Sequence, residues 1–515
     1  LKHSSSFCKI FCYSAKIQLY VFNPSGCDEK IQMKKLNYLV CILSVRRRKL
    51  YTATQSQRAI PERIDRLPAS RETWWILFLA GIAWLIESYD IGIMGSALPS
   101  LTTEYHLSSF LTGTVTTVST FGLVLAIIPA GRLADSIGRK KVLMLGTAWY
   151  ALFTLLCGFA PNITSLIILR FISGFGMGAV FPIPYAMASE LTSRRVRGAM
   201  TAFLDSFLSI GYFLTPLLAL FLIPHLSGDI GWRVLFFIGG IPLLYVPILY
   251  KWFPESPRWL QIKGRGEEAD QIVSYLEKAV ERRTGVPLPA LEFEETPLDE
   301  KAVEKGSHTA FQREYVRRTV MMCVVFASIF IIFYAVQTYT PTVLIKQGYG
   351  VGNSFLLTTI IVLASIPGKY AAGYAVEHWG RKPTLIWFSV IAAISAVIFG
   401  FAPNAVVAII FGCLMSFFGI GVDPVVKVYG AEQYPTRIRE TGVSIFEGVG
   451  RLFSGVLAPY IMAYMLASFN IAGSYIFIAV VALIGVVVVA VLGTETKGET
   501  LEKVSNVALV GAGRS

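Results

Sequence analysis

Charge is scarce in this chain. Asp, Glu, Lys and Arg make up 15% of its 515 residues, whereas 54% are hydrophobic. With a mean hydropathy of +0.58, that balance excludes an ordinary soluble protein. Histidine is rarer still, five residues in all. His106, His225, His308 and His378 fall at borders of apolar runs or in loops, with no nucleophile elbow or metal spacing, which argues against an enzyme. No Walker motif is present, so ATP-driven work has no support. Of the seven cysteines, Cys8, Cys12, Cys27 and Cys41 lie before residue 50 with only His3 nearby, in no strong metal pattern. Cys157, Cys323 and Cys413 sit inside apolar runs as packed thiols. No cofactor and no metal are expected.

What the chain has instead is apolar length. Its hydrophobic residues fall in blocks of about 20, the length of a membrane-crossing helix rather than the weaker ~10-residue alternation of a barrel strand. Twelve spans are expected, at 74 to 101, 111 to 130, 142 to 160, 164 to 188, 199 to 223, 233 to 253, 319 to 341, 355 to 376, 384 to 402, 405 to 430, 441 to 466 and 471 to 493. The first is a full span rather than a cleavable leader. The net charge of +13 is concentrated in alternate connections, with Lys346 and the border residue Arg233 as exceptions. The positive-inside rule then puts both termini and the loop from 254 to 318 in the cytoplasm of a cell-membrane protein. No aromatic-interleaved basic patch accompanies the charge, so no nucleic-acid partner is expected.

A duplication is visible in the chain. GFAPN occurs at 158 to 162 and again at 400 to 404, an offset of 242 residues. The same offset carries Gly131 to Gly373, Asp135 to Glu377, Gly138 to Gly380, Arg139 to Arg381, Glu190 to Glu432, Arg195 to Arg437 and Arg197 to Arg439. One six-helix unit is therefore used twice, and a solute site is expected near the midplane between the copies. The expected divisions are an unordered segment at 1 to 70, whose first 57 residues match nothing that follows and read as a start-site artefact; a bundle at 71 to 253; a linker at 254 to 318; a second bundle at 319 to 493; and a tail at 494 to 515. In the linker, Ile272, Val273, Leu276 and Val280 share one helical face.

GRLADSIGRKK at 131 to 141 and its copy GYAVEHWGRKP at 373 to 383 fall on turns after the second and eighth spans. Small Gly131 and Gly138 are expected to allow close approach and a tight turn, with Asp135 and Arg139 pairing as a latch. RFISGFGMGAVFPIPYAMASELTSRRVRG at 170 to 198, FPESPRWL at 253 to 260, YGAEQYPTRIRETG at 429 to 442 and TETKGETLE at 494 to 502 complete the set. Together these motifs resemble the sugar-porter-like part of the major facilitator superfamily over residues 63 to 503. The resemblance implies an all-α fold of two six-helix bundles and a set of gating residues at one face, which adds Glu255, Arg258, Glu190, Arg197, Gly373, Glu377, Gly380, Arg381, Glu432 and Arg439. Sugar porters carry a Gln where this chain has Asp205, and a Gln-Gln pair where it has a lone Gln337 followed by Tyr339. IDRLP at 64 to 68, Glu87-x-x-Asp90 and LDSF at 204 to 207 look more like the niacin and aromatic-acid transporters of the same superfamily. The leading expectation is a small organic or aromatic acid, with a sugar as the alternative.

Ionisable groups inside spans are costly to bury and so are functional candidates. They are Glu87, Asp90, Arg170, Asp205, Lys369, Asp423, Lys427, Glu447 and Arg451. Counted at ~1.5 Å per residue from the span ends, Asp90 and Arg170 lie at similar depth. In related proton-coupled porters the matching Asp and Arg form the coupling pair, and Glu87 is grouped with them. A purely structural bridge is the bland alternative. Asp205, Gln337, Tyr339, Glu447, Arg451, Asp423 and Lys427 are expected to line the solute site, although Asp423 with Lys427 and Glu447 with Arg451 also suit simple i,i+4 pairs. A monomeric secondary transporter with a proton and a small solute as partners is the reading. A non-transporting solute sensor is the alternative from another class.

Overall fold

A computed structural model describes residues 60–193, 197–226, 230–289, 313–434 and 439–497. Twelve of its helices are long and apolar enough to cross a membrane: Arg71–Tyr105, Ser109–Ile137, Arg139–Cys157, Ile163–Leu191, Phe203–Leu222 and Ile230–Trp252 in a first half, then Tyr315–Lys346, Val351–Trp379, Arg381–Gly400, Ala405–Glu432, Gly442–Ser468 and Ile471–Leu492 in a second. They are numbered here as spans one to twelve. The face that carries the linker between spans six and seven is the linker face, and the opposite one the far face.

The repeated GFAPN has a local purpose. Asn162 and Asn404 are extended residues that cap spans four and ten, each side-chain oxygen accepting from a backbone N–H three residues on. Pro182 and Pro424, again 242 apart, stand where both of these spans break and restart. The halves differ in regularity elsewhere. Spans seven and eleven each contain a π-helical turn, Ala335–Tyr339 and Leu452–Leu457, and no described element of the first half does.

Three sequence expectations are corrected. Span two stays helical to Ile137 and span eight to Trp379, so the turns are narrower than the motifs suggested. Gly131 and Gly373 have nothing within reach of an added Cβ, so close helix approach is not their role. Residues 60–70 are not an unordered segment. Ile60–Asp65 is a short helix whose Ile60 and Ile64 are buried against Trp259, Leu260 and Val273 of the linker. Its Arg63 reaches the linker helix Gly266–Thr284, 2.5 Å from Asp270 and 2.6 Å from Glu277, and Arg66 is also 2.6 Å from Glu277. Burial works against charge at both Arg63 and Glu277, but their bonds outweigh it, raising the first pKa and lowering the second. The start of the chain and the cysteines before residue 50 lie outside the described residues.

Candidate functional site

Span one carries Glu87 and Asp90 one turn apart, both fully buried. Arg170 of span four meets Asp90, its Nη1 donating to the two carboxylate oxygens at 3.0 and 2.8 Å. The Thr154 hydroxyl donates to the same carboxylate at 2.6 Å, and Arg170 Nη2 donates to Ser119 at 3.0 Å. Both Asp90 carboxylate oxygens thus accept hydrogen bonds in this conformation. Glu87 is the opposite: neither of its oxygens has a hydrogen-bond partner among the described residues.

A second cluster joins the two halves. Asp205 of span five, fully buried, lies 2.5 Å from Lys369 of span eight and 3.1 Å from Lys427 of span ten. Tyr185 of span four donates its hydroxyl to the same carboxylate at 2.9 Å. Lys427 also pairs with Asp423 at 2.9 Å, one helical turn away. Arg451 of span eleven stacks on Phe181, 3.7 Å from the ring centre, and forms a long 3.6 Å ion pair to Glu447 on its own helix. Its Nε has no hydrogen-bond partner among the described residues. Lys369, Asp423, Lys427 and Arg451, with the rings of Phe181, Tyr212, Phe330, Phe333 and Tyr334, enclose a cavity of about 20 Å³. That is room for a single water.

Of the residues expected to line a solute site, the structure gathers Asp205, Asp423, Lys427, Glu447 and Arg451. It places Gln337 and Tyr339 elsewhere. Gln337 donates to the backbone carbonyl of Tyr212 at 3.3 Å, and its own carbonyl lies where a Cβ on Gly95 would stand. Tyr339 donates its hydroxyl to the Pro459 carbonyl at 2.7 Å. Gln337 bridges the two halves, whereas the Tyr339 bond lies within the second half; neither side chain joins the cluster. Lys369, Tyr185 and Thr154 were not assigned to the site from the sequence. Lys369 alone had left a signal, as a charge inside a span.

On the linker face the two turn motifs act alike. Gly138 and Gly380 have positive φ, 109° and 100°, which only glycine adopts easily. A carboxylate fills the space a Cβ would need at each: Glu255 at Gly138 and Glu495 at Gly380. Glu255 accepts from the backbone N–H groups of Arg139 and Lys140, at 2.8 and 3.3 Å. Glu495 accepts from those of Arg381 and Lys382, both at 3.0 Å. Each carboxylate therefore caps the next span's positive end. Glu495 was not among the residues singled out from the sequence. Arg139 pairs with Asp135 at 3.0 Å and Glu190 at 3.4 Å. Arg381 pairs with Glu432 at 3.1 Å, whereas Glu377 is exposed and makes no ion pair among the described residues, so the Asp135–Arg139 pair has no counterpart in the second copy while the arginine–glutamate pair is present in both. Arg258 sits near enough to Glu190 to act on it electrostatically. The side chains of Arg197 and Arg439 lie outside the description, as do Arg195 and Arg437.

With this geometry in place, comparison with known proteins is decisive. The family model "Sugar (and other) transporter" matches residues 76–508. The chain belongs to that family. Among curated sugar (and other) transporter relatives, the niacin transporter NiaP of Acinetobacter baylyi is 34% identical over 86% of this chain and 98% of its own length. The 4-hydroxybenzoate transporter PcaK of the same organism is 27% identical over 81% of this chain and 90% of its own. The fold is that of the major facilitator superfamily. The E. coli xylose transporter XylE, in a partially occluded inward-open form, superposes with a TM-score of 0.68 at 21% identity, covering 84% of this chain and all of the other. The protein is a multi-pass membrane protein of two six-helix bundles.

Proposed function

We propose that this protein is a proton-coupled secondary transporter of a small aromatic or heteroaromatic monocarboxylate, working by alternating access. The observation that carries the reading is the buried Arg451, stacked on Phe181 and short of hydrogen-bond acceptors, at a seam walled by further aromatic rings. A guanidinium binds a planar carboxylate through two parallel bonds, and the rings supply the apolar faces for the solute's own ring. Lys369 and Lys427 add positive charge beside it. The kinship with carriers named for niacin and 4-hydroxybenzoate points the same way. A sugar would call for neutral amide ligands, and Gln337 is turned to the backbone of Tyr212 instead.

Motion follows from size. A cavity of about 20 Å³ is far below the several hundred that enclose a bound small molecule, so the halves must part to admit one. Separation at the linker face breaks Asp205 from Lys369 and Lys427. At the far face it breaks the contacts of Gly95 with Gln337 and of Tyr460 with Thr114, 3.1 Å apart. In this scheme Asp90 takes the coupling proton when Arg170 withdraws, and gives it up when the pair closes. The linker face, with its basic turns, is cytoplasmic, the membrane is the cell membrane, and one chain suffices for transport.

The test uses purified protein in proteoliposomes. Labelled nicotinate, benzoate, xylose and an amino acid are offered with and without an inward pH gradient. Gradient-driven accumulation of an aromatic acid is expected; accumulation of xylose alone would overturn the proposal.

A further inference from the structure

Glu87 is a buried acid without an evident employer. It lies in span one, three residues from Asp90, buried and with no hydrogen bond to either oxygen among the described residues. The charged and titratable groups around it come from every neighbouring element: Arg451 of span eleven, Lys427 of span ten and Asp90 of its own span, Tyr150 of span three, Tyr212 of span five and Tyr334 of span seven. None of them bonds to it. An ionised carboxylate without water or a donor is heavily penalised, so the neutral acid is the form that fits this position.

Arg451, its leading electrostatic neighbour, is also incompletely used, with a free Nε and a long pair to Glu447. Arg451 lines the ring-walled cavity, and the buried Glu87 lies within electrostatic reach of it and of the cavity residues Tyr212 and Tyr334. Native interiors rarely leave such groups without a reason. A flat ligand with an anionic end and a hydrogen-bond acceptor on its ring would satisfy both.

We propose that Glu87 selects the ring of the solute, its carboxyl proton bonding a ring nitrogen while Arg451 holds the carboxylate at the other end. The inference rests on the aromatic-acid reading above and narrows it to pyridine carboxylates. The bond balances either way: O–H···N with the proton on Glu87, or O⁻···H–N⁺ after its transfer to the ring. No other group changes charge. A benzoate offers C–H at that place and leaves Glu87 buried and unpaired, and sites built to hydrogen-bond a ligand discriminate strongly against analogues that lack the partner atom.

The experiment is competition binding of labelled nicotinate against unlabelled nicotinate and benzoate, on the full-length protein. Wild type, Glu87→Gln, Glu87→Leu and Arg451→Leu are compared. Wild type should favour nicotinate by at least about tenfold. Glu87→Gln keeps an N–H donor and should keep the preference, while Glu87→Leu should bring the ratio near one. Glu87→Met serves as a second apolar variant if leucine disturbs folding. A wild-type ratio retained by the apolar variants, with binding still lost in Arg451→Leu, would overturn the role of Glu87 and leave the carrier reading standing. Wild type that binds neither acid would overturn both.

Discussion

The two halves share a frame and divide the buried charge unequally. At the offset of 242, the positions equivalent to Glu87, Asp90 and Arg170 are Ile329, Ile332 and Gly412. In the other direction Lys369, Asp423, Lys427 and Arg451 correspond to Ile127, Phe181, Tyr185 and Ser209. Among the ionisable candidates named inside the spans, only Asp205 and Glu447 occupy equivalent positions. The caps, the breaks and the carboxylate-capped turns serve both halves and are kept in both. The membrane-embedded charges are not: the first half holds a closed acid–arginine pair, and the second holds the cations that face the cavity. The second half also carries both π-helical turns, a feature that concentrates at functional sites. Under the proposed function, its copy of the unit grips the anion and the first holds the proton.

The largest expected effect comes from removing the anchor on one side of this comparison. Arg451→Leu should weaken aromatic-acid binding by at least about 100-fold, the scale for losing a buried charged hydrogen-bond partner. Ser209→Ala, at the equivalent place in the first half, should change it by less than about threefold. Equal losses would dissolve the asymmetry. Next in size is Asp205→Asn, which leaves Lys369 and Lys427 without their shared acid. Truncating one partner of a buried pair costs about 3–5 kcal/mol, here charged to the closed linker face. A cysteine placed at Leu208, on the cavity wall, should then react at least about tenfold faster with a reagent supplied from that face; an unchanged rate would free Asp205 from a locking role.

The frame should respond evenly. Glu255→Gln and Glu495→Gln each weaken a carboxylate cap, at about 1–2 kcal/mol, and the two variants should lower the melting temperature alike. A large effect in one half only would show that the two capped turns are not equivalent. The smallest effect concerns the strap of Ile60–Asp65. Glu277's pKa is below its ordinary 4.5, so its pairing with Arg63 stabilises above about 4.5 and is lost as pH falls through the lower folded value. The melting advantage of wild type over Arg63→Gln should be full at pH 7 and shrink below pH 4. A pH-independent difference would assign Arg63 a packing role only.

The spans, the duplication and the depth match of Asp90 with Arg170 were legible because each is a matter of length or spacing along one chain. Partners across the halves were not. Asp205 meets Lys369 and Lys427 at separations of 164 and 222 residues, and no local pattern announces such a meeting. Glu495 was hidden differently: it copies Glu255 at an offset of 240 rather than 242, so a search at one fixed shift passes over it. Gly131 recurs without any close contact to explain it, which shows that recurrence alone does not assign a steric role. IDRLP signalled kinship, but not that its Arg63 would bury itself against the linker helix.

The central claim is that a proton on Asp90 drives a solute held by the second half. Proteoliposomes containing wild type or Asp90→Asn, a fixed mimic of the neutral acid, separate these two parts. Both should exchange nicotinate across the membrane at equal concentrations, but only wild type should accumulate it when an inward pH gradient is imposed. Full gradient-driven accumulation by Asp90→Asn would contradict the account and remove Asp90 from the coupling step.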